Sequence, residues 1–347
     1  MRALVTGGAG FIGSHLVEYL LALGHEVVVL DDLSTGARAN LVHALRDPRT
    51  SFVHGSVLDS GVLRTAMTGC DTVFHLASLV GARMVGIEPV RTLHVNVVGT
   101  ERVLAAALDR GCRVLFSSGG EVYGRSNGEA LREDDDRILG PAQEGRWCTA
   151  VTKGLGEYLT ARYFHEYGLD TVTVRLFDVT GPRQSLDYGH VLPAFVEQAL
   201  HGRPVTVHGD GSQTRCFCSV HDVVPALVAL VEQPRARGRT VNIGARDRTG
   251  IMELARRVLA LTRSGSGIVT IDHQVARGPG YAETGHRVPD TSLARELIGW
   301  SADTGLDAII TSVVEDQTGR SSPYGGHGGA VTRVGVKNHL PRARTSD

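Results

Sequence analysis

The residues most plainly able to do chemistry lie in one glycine-rich run near the start of the chain. Thr6-Gly7-Gly8-Ala9-Gly10-Phe11-Ile12-Gly13 follows a short β-rich stretch and opens an amphipathic helix. Glycine is required there at a tight turn, where backbone meets a pyrophosphate, and where helix packs on strand. The helix N-terminus then offers backbone N–H groups and the positive end of its dipole to the phosphates. At the end of the next β-rich run, Asp31 can accept both hydroxyls of a ribose and repel a 2′-phosphate, which selects NAD over NADP. Its neighbour Asp32 either shares that role or is a solvated turn residue. The expected cofactor contacts are therefore Gly7, Gly10, Phe11, Ile12, Gly13, Asp31 and Asp32.

A second signal is a residue type that is nearly absent. Lysine and arginine total 36, yet the only lysines are Lys153 and Lys337. Where arginine has replaced lysine almost everywhere, a retained lysine calls for a chemical reason. Lys337 lies in a loose tail, so Lys153 is the candidate. The cysteines (Cys70, Cys112, Cys148, Cys216, Cys218) are odd in number and lack metal-ligand spacing. Cys148 reads as a small apolar packing residue. The 15 histidines form no metal constellation. All except His208 and His286 read as structural or solvated, and the expectation is a reduced protein without a metal.

The elements that must position these groups alternate between short β-rich runs and helical stretches, the pattern of a parallel sheet covered on both faces. Strands are expected at Ala3–Thr6, Glu26–Leu30, Ser51–His54, Thr72–His75, Arg113–Ser117 and Thr171–Leu176. The longest helices are expected at Val90–Arg110 and Thr149–Tyr167. After the turn Gly181-Pro182-Arg183 the elements shorten. A helix is expected over Leu192–His201, and His221–Glu232 with Thr240–Gly244 read as a helix and a strand that rejoin the main sheet. The predicted fold is α/β, a Rossmann-type doubly wound parallel sheet with a smaller C-terminal α/β subdomain. Residues 1–180 form the cofactor domain, completed by about 219–245; residues 181–318 form the second unit, and 319–347 a disordered tail. A formal net charge of −1 leaves no footprint for nucleic acid. No apolar run approaches the ~20 residues that cross a bilayer. The N-terminus enters a strand at once, so a cytoplasmic protein without a signal peptide is expected.

The wording of these runs resembles the extended short-chain dehydrogenase/reductase family, in particular its nucleotide-sugar epimerases, dehydratases and decarboxylases. The resemblance covers residue 3 to about 315. It rests on Thr6–His15, Asp31-Asp32-Leu33, Phe74-His75-Leu76-Ala77, Asn96-x-x-Gly99-Thr100, Glu121-Val122-Tyr123-Gly124, Gly181-Pro182-Arg183-Gln184, Val207–Arg215 and Leu297-Ile298-Gly299-Trp300. It implies NAD, with Leu76, Ala77, Asn96 and Lys153 among its contacts, and a nucleotide-diphosphate sugar, most simply a UDP-sugar. It also implies a homodimer through the helices matching Val90–Arg110 and Thr149–Tyr167.

The resemblance breaks at its catalytic residues. The family carries Tyr-x-x-x-Lys on a long helix and a Ser or Thr after the fifth strand. Here Lys153 fits, but the tyrosine position is Thr149 and the hydroxyl position is Gly119. Threonine cannot serve as a tyrosinate-like base at neutral pH. Glu121 matches an acid that the dehydratases and glucuronate decarboxylases place near the sugar; otherwise it is a surface acid at a strand end. The segment Glu133-Asp134-Asp135 … Leu139-Gly140-Pro141 … Arg146-Trp147 looks most like the UDP-glucuronate decarboxylase and uronate 4-epimerase branch. The resemblance places Arg215 and Arg287 on the diphosphate or a sugar carboxylate and His208 on the base. Asp178, in Phe177-Asp178-Val179-Thr180, replaces the family's asparagine on the sugar side. Tyr123 either approaches the sugar or packs. The catalytic group expected is thus Glu121, Lys153 and Thr149, and the substrate contacts are Asp178, His208, Arg215 and Arg287. The alternative is a catalytically silent sensor or scaffold that binds NAD and a nucleotide sugar.

Overall fold

The structure, a computed structural model, describes residues 1–80, 88–126, 129–186, 189–272, 275 and 287–319. Seven parallel strands make the central sheet: β1 (Arg2–Thr6), β2 (Glu26–Asp31), β3 (Thr50–His54), β4 (Thr72–His75), β5 (Arg113–Gly119), β6 (Thr171–Leu176) and β7 (Thr240–Ile243). Their spatial order is β7-β6-β5-β4-β1-β2-β3. The order reverses between β1 and β4, and in open α/β sheets ligands bind in the crevice at that switch point. Strands such as β1 and β2 are near-continuous apolar runs because both faces of the sheet are covered. Thr240–Ile243 does rejoin the sheet, paired with β6.

Two apolar clusters sandwich the sheet. On one side α1 (Phe11–Ala22) and the helix Val220–Glu232 bury Leu16, Leu20, Val223 and Leu227. On the other, Ser60–Ala66 and Gly99–Arg110 bury Leu63, Val103 and Leu104. A third cluster lies apart, formed by Val191–Leu200, Ile251–Thr262 and Leu306–Gln317 through Phe195, Leu254 and Ile310. It supports a short parallel pair, Val205–His208 with Ile268–Ile271.

The helix expected over Val90–Arg110 differs from its simple reading. It runs as an α-helix over Pro89–Leu93, a π-helical turn over His94–Val98, and an α-helix over Gly99–Arg110. The extra residue of a π turn is invisible to a 3.6-residue pattern, and such turns gather at functional sites. The other long helix, α2 (Cys148–Tyr167), ends at Gly168 in the left-handed conformation. Apart from Gly319, the tail expected over 319–347 lies outside the described residues. No described helix is long and apolar enough to cross a membrane.

Candidate active site

A cavity of about 930 Å³ opens along the switch point and continues past the end of β5. Its first half is the glycine-rich loop. Gly7 has φ +72°, and a Cβ there would stand 2.8 Å from the backbone nitrogen of Ala77, so no side chain fits. A Cβ at Gly13 would meet the Gly7 carbonyl oxygen at 2.2 Å, because α1 packs hard on the turn. Gly10 caps α1 with no side-chain hydrogen bond, and its first turn holds no acid. An uncapped helix start with its dipole facing a cavity suits a diphosphate. Phe11, Ile12, Leu76 and Ala77 line the same crevice.

Asp31 and Asp32 both stand on the wall at the far end. The Asp31 carboxylate accepts the backbone N–H of Ala9 (2.9 Å) and of Leu33 (2.8 Å), tying the glycine loop to β2. Burial raises its pKa, and those two N–H groups oppose the rise. Each oxygen keeps a lone pair for a ribose hydroxyl. Asp32 instead accepts the N–H and hydroxyl of Ser34. The residues present thus fit NAD: a side-chain-free cradle, a helix N-terminus and an acid at the strand end.

Asn96 stands elsewhere than a simple cofactor contact would. It does not line the cavity; from the π turn its carboxamide accepts the N–H of Leu79 and donates to the carbonyl of Leu79. It therefore holds the loop that lines the crevice. A buried chain of hydrogen bonds supports the same floor, linking Thr6, His75 and Thr100 at 2.8 and 3.0 Å.

The other half of the cavity holds Gly119, Glu121, Thr149, Lys153, Asp178 and His190. Thr149 and Lys153 lie one turn apart on α2, which packs along β5. The Lys153 ammonium donates to the Ser117 carbonyl at 2.6 Å and lies 5.2 Å from the Phe116 ring centre. Burial lowers its pKa from 10.5 to about 8, and the carboxylates of Glu121 and Glu157 oppose the fall. Glu157 is held in a buried network, paired bidentately to Arg175 at 2.9 Å and accepting the Ser118 hydroxyl at 2.6 Å. The Glu121 side chain is exposed to the cavity.

Asp178 sits at φ +38°, a left-handed conformation that Asp tolerates better than most residues. Burial raises its pKa, while Arg287 and Arg215 lower it and Glu121 raises it further. Both arginines are therefore near Asp178, although neither lines the cavity. Arg215 belongs to a two-residue strand and donates to the carbonyl of Thr214. His208 ends the strand Val205–His208 and is not on the cavity wall. His286 lies outside the described residues.

The structure decides one open reading and changes another. Tyr123 packs: it is fully buried and its hydroxyl donates to Asn242 at 2.8 Å. His190, read as structural or solvated, lines the cavity just before the helix Val191–Leu200. Burial lowers its pKa, opposed by Asp178 and Glu121. Its one sequence signal was its place ahead of a helix N-terminus, which periodicity alone does not mark as a site. Cys148 is half-buried, and burial keeps its thiol above the ordinary range.

With that geometry in place, the chain matches the NAD dependent epimerase/dehydratase family over residues 3–244. It is 36% identical over 315 residues to the UDP-N-acetyl-alpha-D-glucosaminuronate decarboxylase of Bacillus cytotoxicus, covering 90% of this chain and 97% of that protein. It is 35% identical over 317 residues to UDP-glucuronic acid decarboxylase 1 of Arabidopsis thaliana, covering 91% of this chain and 69% of that protein. Among solved structures, UDP-glucuronic acid 4-epimerase from Bacillus cereus, in complex with UDP-glucuronic acid and NAD, superposes with a TM-score of 0.83. The two are 27% identical, with 92% of this chain and 99% of that chain covered.

Proposed function

The chain belongs to the NAD-dependent epimerase/dehydratase family, and we propose that its substrate is a UDP-hexuronate handled with Glu121 as the proton-transfer group. NAD supplies the family's redox chemistry by taking up a hydride and returning it. The observation that carries the reading is the single cavity joining the glycine-rich cradle to Glu121, Lys153, Thr149 and Asp178. The uronate is supported by the names of the decarboxylases and the uronate 4-epimerase this chain resembles.

On a hexuronate already oxidised at C4, the chemistry needs one base and one cation. A Glu121 oxygen takes the proton from the carbon beside the ketone, and the C–H electron pair moves to the ketone oxygen. The Lys153 ammonium stabilises that enolate; epimerisation follows when water on the opposite face gives a proton to the same carbon and the proton held by Glu121 passes to solvent. In decarboxylation the bond to the carboxyl group breaks instead, carbon dioxide leaves, and protonated Glu121 delivers its proton to the same carbon. Thr149 gives space and one hydroxyl hydrogen bond in place of a phenol. Arg215 and Arg287, beside Asp178, hold the diphosphate or the sugar carboxylate, and His208 meets the base. Residues 181–318 form the sugar-nucleotide side, and the functional unit is a cytoplasmic homodimer.

The test is incubation with UDP-glucuronate and UDP-N-acetylglucosaminuronate, in unoxidised and 4-keto forms, followed by product mass. Glu121→Gln should lower turnover by ~10²-fold or more and leave KM within a few-fold. A wild type that binds NAD and UDP-glucuronate tightly but transforms neither sugar would refute the enzyme reading of this site in favour of a silent binder.

A further inference from the structure

Asp178 and His190 come from different parts of the fold and line the same half of the cavity. Asp178 follows β6, where the Phe177 N–H donates to the Ile243 carbonyl at 2.9 Å and the Asp178 carbonyl accepts the Cys218 N–H at 3.1 Å. His190 stands between a turn, closed by the Gly189 N–H on the Leu186 carbonyl, and the helix Val191–Leu200, whose Leu192, Phe195 and Val196 are buried. Its imidazole does not cap that helix. Both side chains are half-buried and mounted on backbone that packing fixes. The wall they share also carries Glu121 and Lys153. It therefore meets a sugar with two carboxylates, one ammonium and an imidazole that can gain a charge near neutral pH. A hexuronate adds a third carboxylate. Arg215 and Arg287, the guanidinium groups near Asp178, match the two charges of a diphosphate, which leaves the sugar carboxylate to the wall.

We propose that His190 is a specificity-determining residue, which takes a proton from solvent when a hexuronate binds and stands as the cation between Asp178 and the sugar carboxylate. A neutral sugar brings no third carboxylate and calls for no proton. The proposal rests on the hexuronate reading above, and its test needs no turnover. The charged and titratable groups around His190 are Asp178 after β6, Glu121 after β5 and Lys153 on α2, with Arg215 and Arg287 beside Asp178. In the free protein burial holds the imidazole below its ordinary pKa, while Asp178 and Glu121 pull it up. A substrate carboxylate set against it adds a pull in the same direction. The imidazolium has an N–H on each side of the ring, one for each anion. A group whose pKa rises on binding takes up a proton, so affinity falls as pH climbs between its free and bound values.

Calorimetric titration of the full chain without NAD isolates binding, because no hydride transfer accompanies it. UDP-glucuronate and UDP-glucose are titrated near neutral pH in buffers of different ionisation enthalpy, which reads the protons taken up. UDP-glucuronate should take up about one proton more than UDP-glucose, and its affinity should fall by up to ~10-fold per pH unit while that of UDP-glucose stays nearly level. His190→Gln should abolish the excess uptake and weaken UDP-glucuronate by ~10-fold or more, with UDP-glucose held within a few-fold as evidence of an intact fold. His190→Arg carries a fixed charge, so it should keep the preference for UDP-glucuronate and lose the uptake. Asp178→Asn should reduce the uptake, since the imidazolium loses one of its anions. Equal proton uptake for the two sugars in the wild type would overturn the proposal. So would a His190→Gln variant that weakens both ligands alike. If the wild type prefers UDP-glucuronate and His190→Gln keeps that preference, the hexuronate reading stands and the role of His190 falls. If UDP-glucose binds the wild type as tightly as UDP-glucuronate, both fall.

Discussion

Replacing Lys153 by methionine should leave the protein standing and stop its chemistry. Burial brings the Lys153 pKa from 10.5 to about 8, which corresponds to a folding cost of ~3 kcal/mol for carrying the charge at neutral pH. Methionine removes that cost and fills much the same volume. It also strips the Ser117 carbonyl of its 2.6 Å donor, a loss of ~1–3 kcal/mol for a buried acceptor. The two nearly cancel, so the variant should be as stable as the wild type near pH 7, or more stable by up to ~2 kcal/mol. The pH dependence separates them further. Below about 8 the folded and unfolded chains both hold the proton, and the wild type carries the full penalty. Between about 8 and 10.5 the folded state has released it and the unfolded state has not, so wild-type stability rises with pH across that window. The methionine variant lacks this rise. Urea unfolding near pH 7 and again above about pH 9 measures both effects. Because the ammonium is the working form, wild-type kcat/KM should fall as pH climbs through about 8. Lys153→Met should turn over ~10²-fold slower or worse and bind NAD more weakly. A variant several kcal/mol less stable at pH 7, with the wild-type rate unchanged across pH 8, would refute the reasoning.

The ribose end is tested by Asp31: the wild type should bind NAD at least ~10-fold tighter than NADP, and Asp31→Ala should lower NAD affinity and narrow that preference. Equal wild-type affinities in a calorimetric titration would count against the ribose assignment. Assembly is tested on α2 and its neighbour, where Val90, Leu93, Val151, Leu155 and Tyr158 are large exposed apolar residues. Val151, Leu155 and Tyr158 share one face of α2, and a self-complementary dimer would cover it. Light scattering at micromolar concentration should give twice the chain mass, and Leu155→Glu with Val151→Arg should halve it; a monomeric wild type would exclude the dimer.

The cofactor half of the site was legible because its determinants are local. Strand, glycine run and helix are consecutive in sequence, and the steric demands at Gly7 and Gly13 come from neighbours that any strand–turn–helix of this kind brings together. Asp31 was readable from its place at a strand end. Lys153 stood out by count, before any fold was considered, and the parallel sheet followed from apolar runs alternating with helices. What the sequence could not determine depends on groups far apart in the chain sharing one volume. Asn96 read as a cofactor contact, and its carboxamide is bonded to the backbone of Leu79, a partner that sequence order does not mark. His190 carried no local mark, and only the packing of its helix start brings it to Asp178 and Glu121. Gly119 read as a lost hydroxyl. In the fold it ends β5 in extended backbone, a conformation that does not itself require glycine. Periodicity and propensity act over a few residues and leave their trace in sequence order. Burial, close approach and the charge around a lysine are sums over the whole folded chain, and they exist only once the sheet has brought the ends of its strands together.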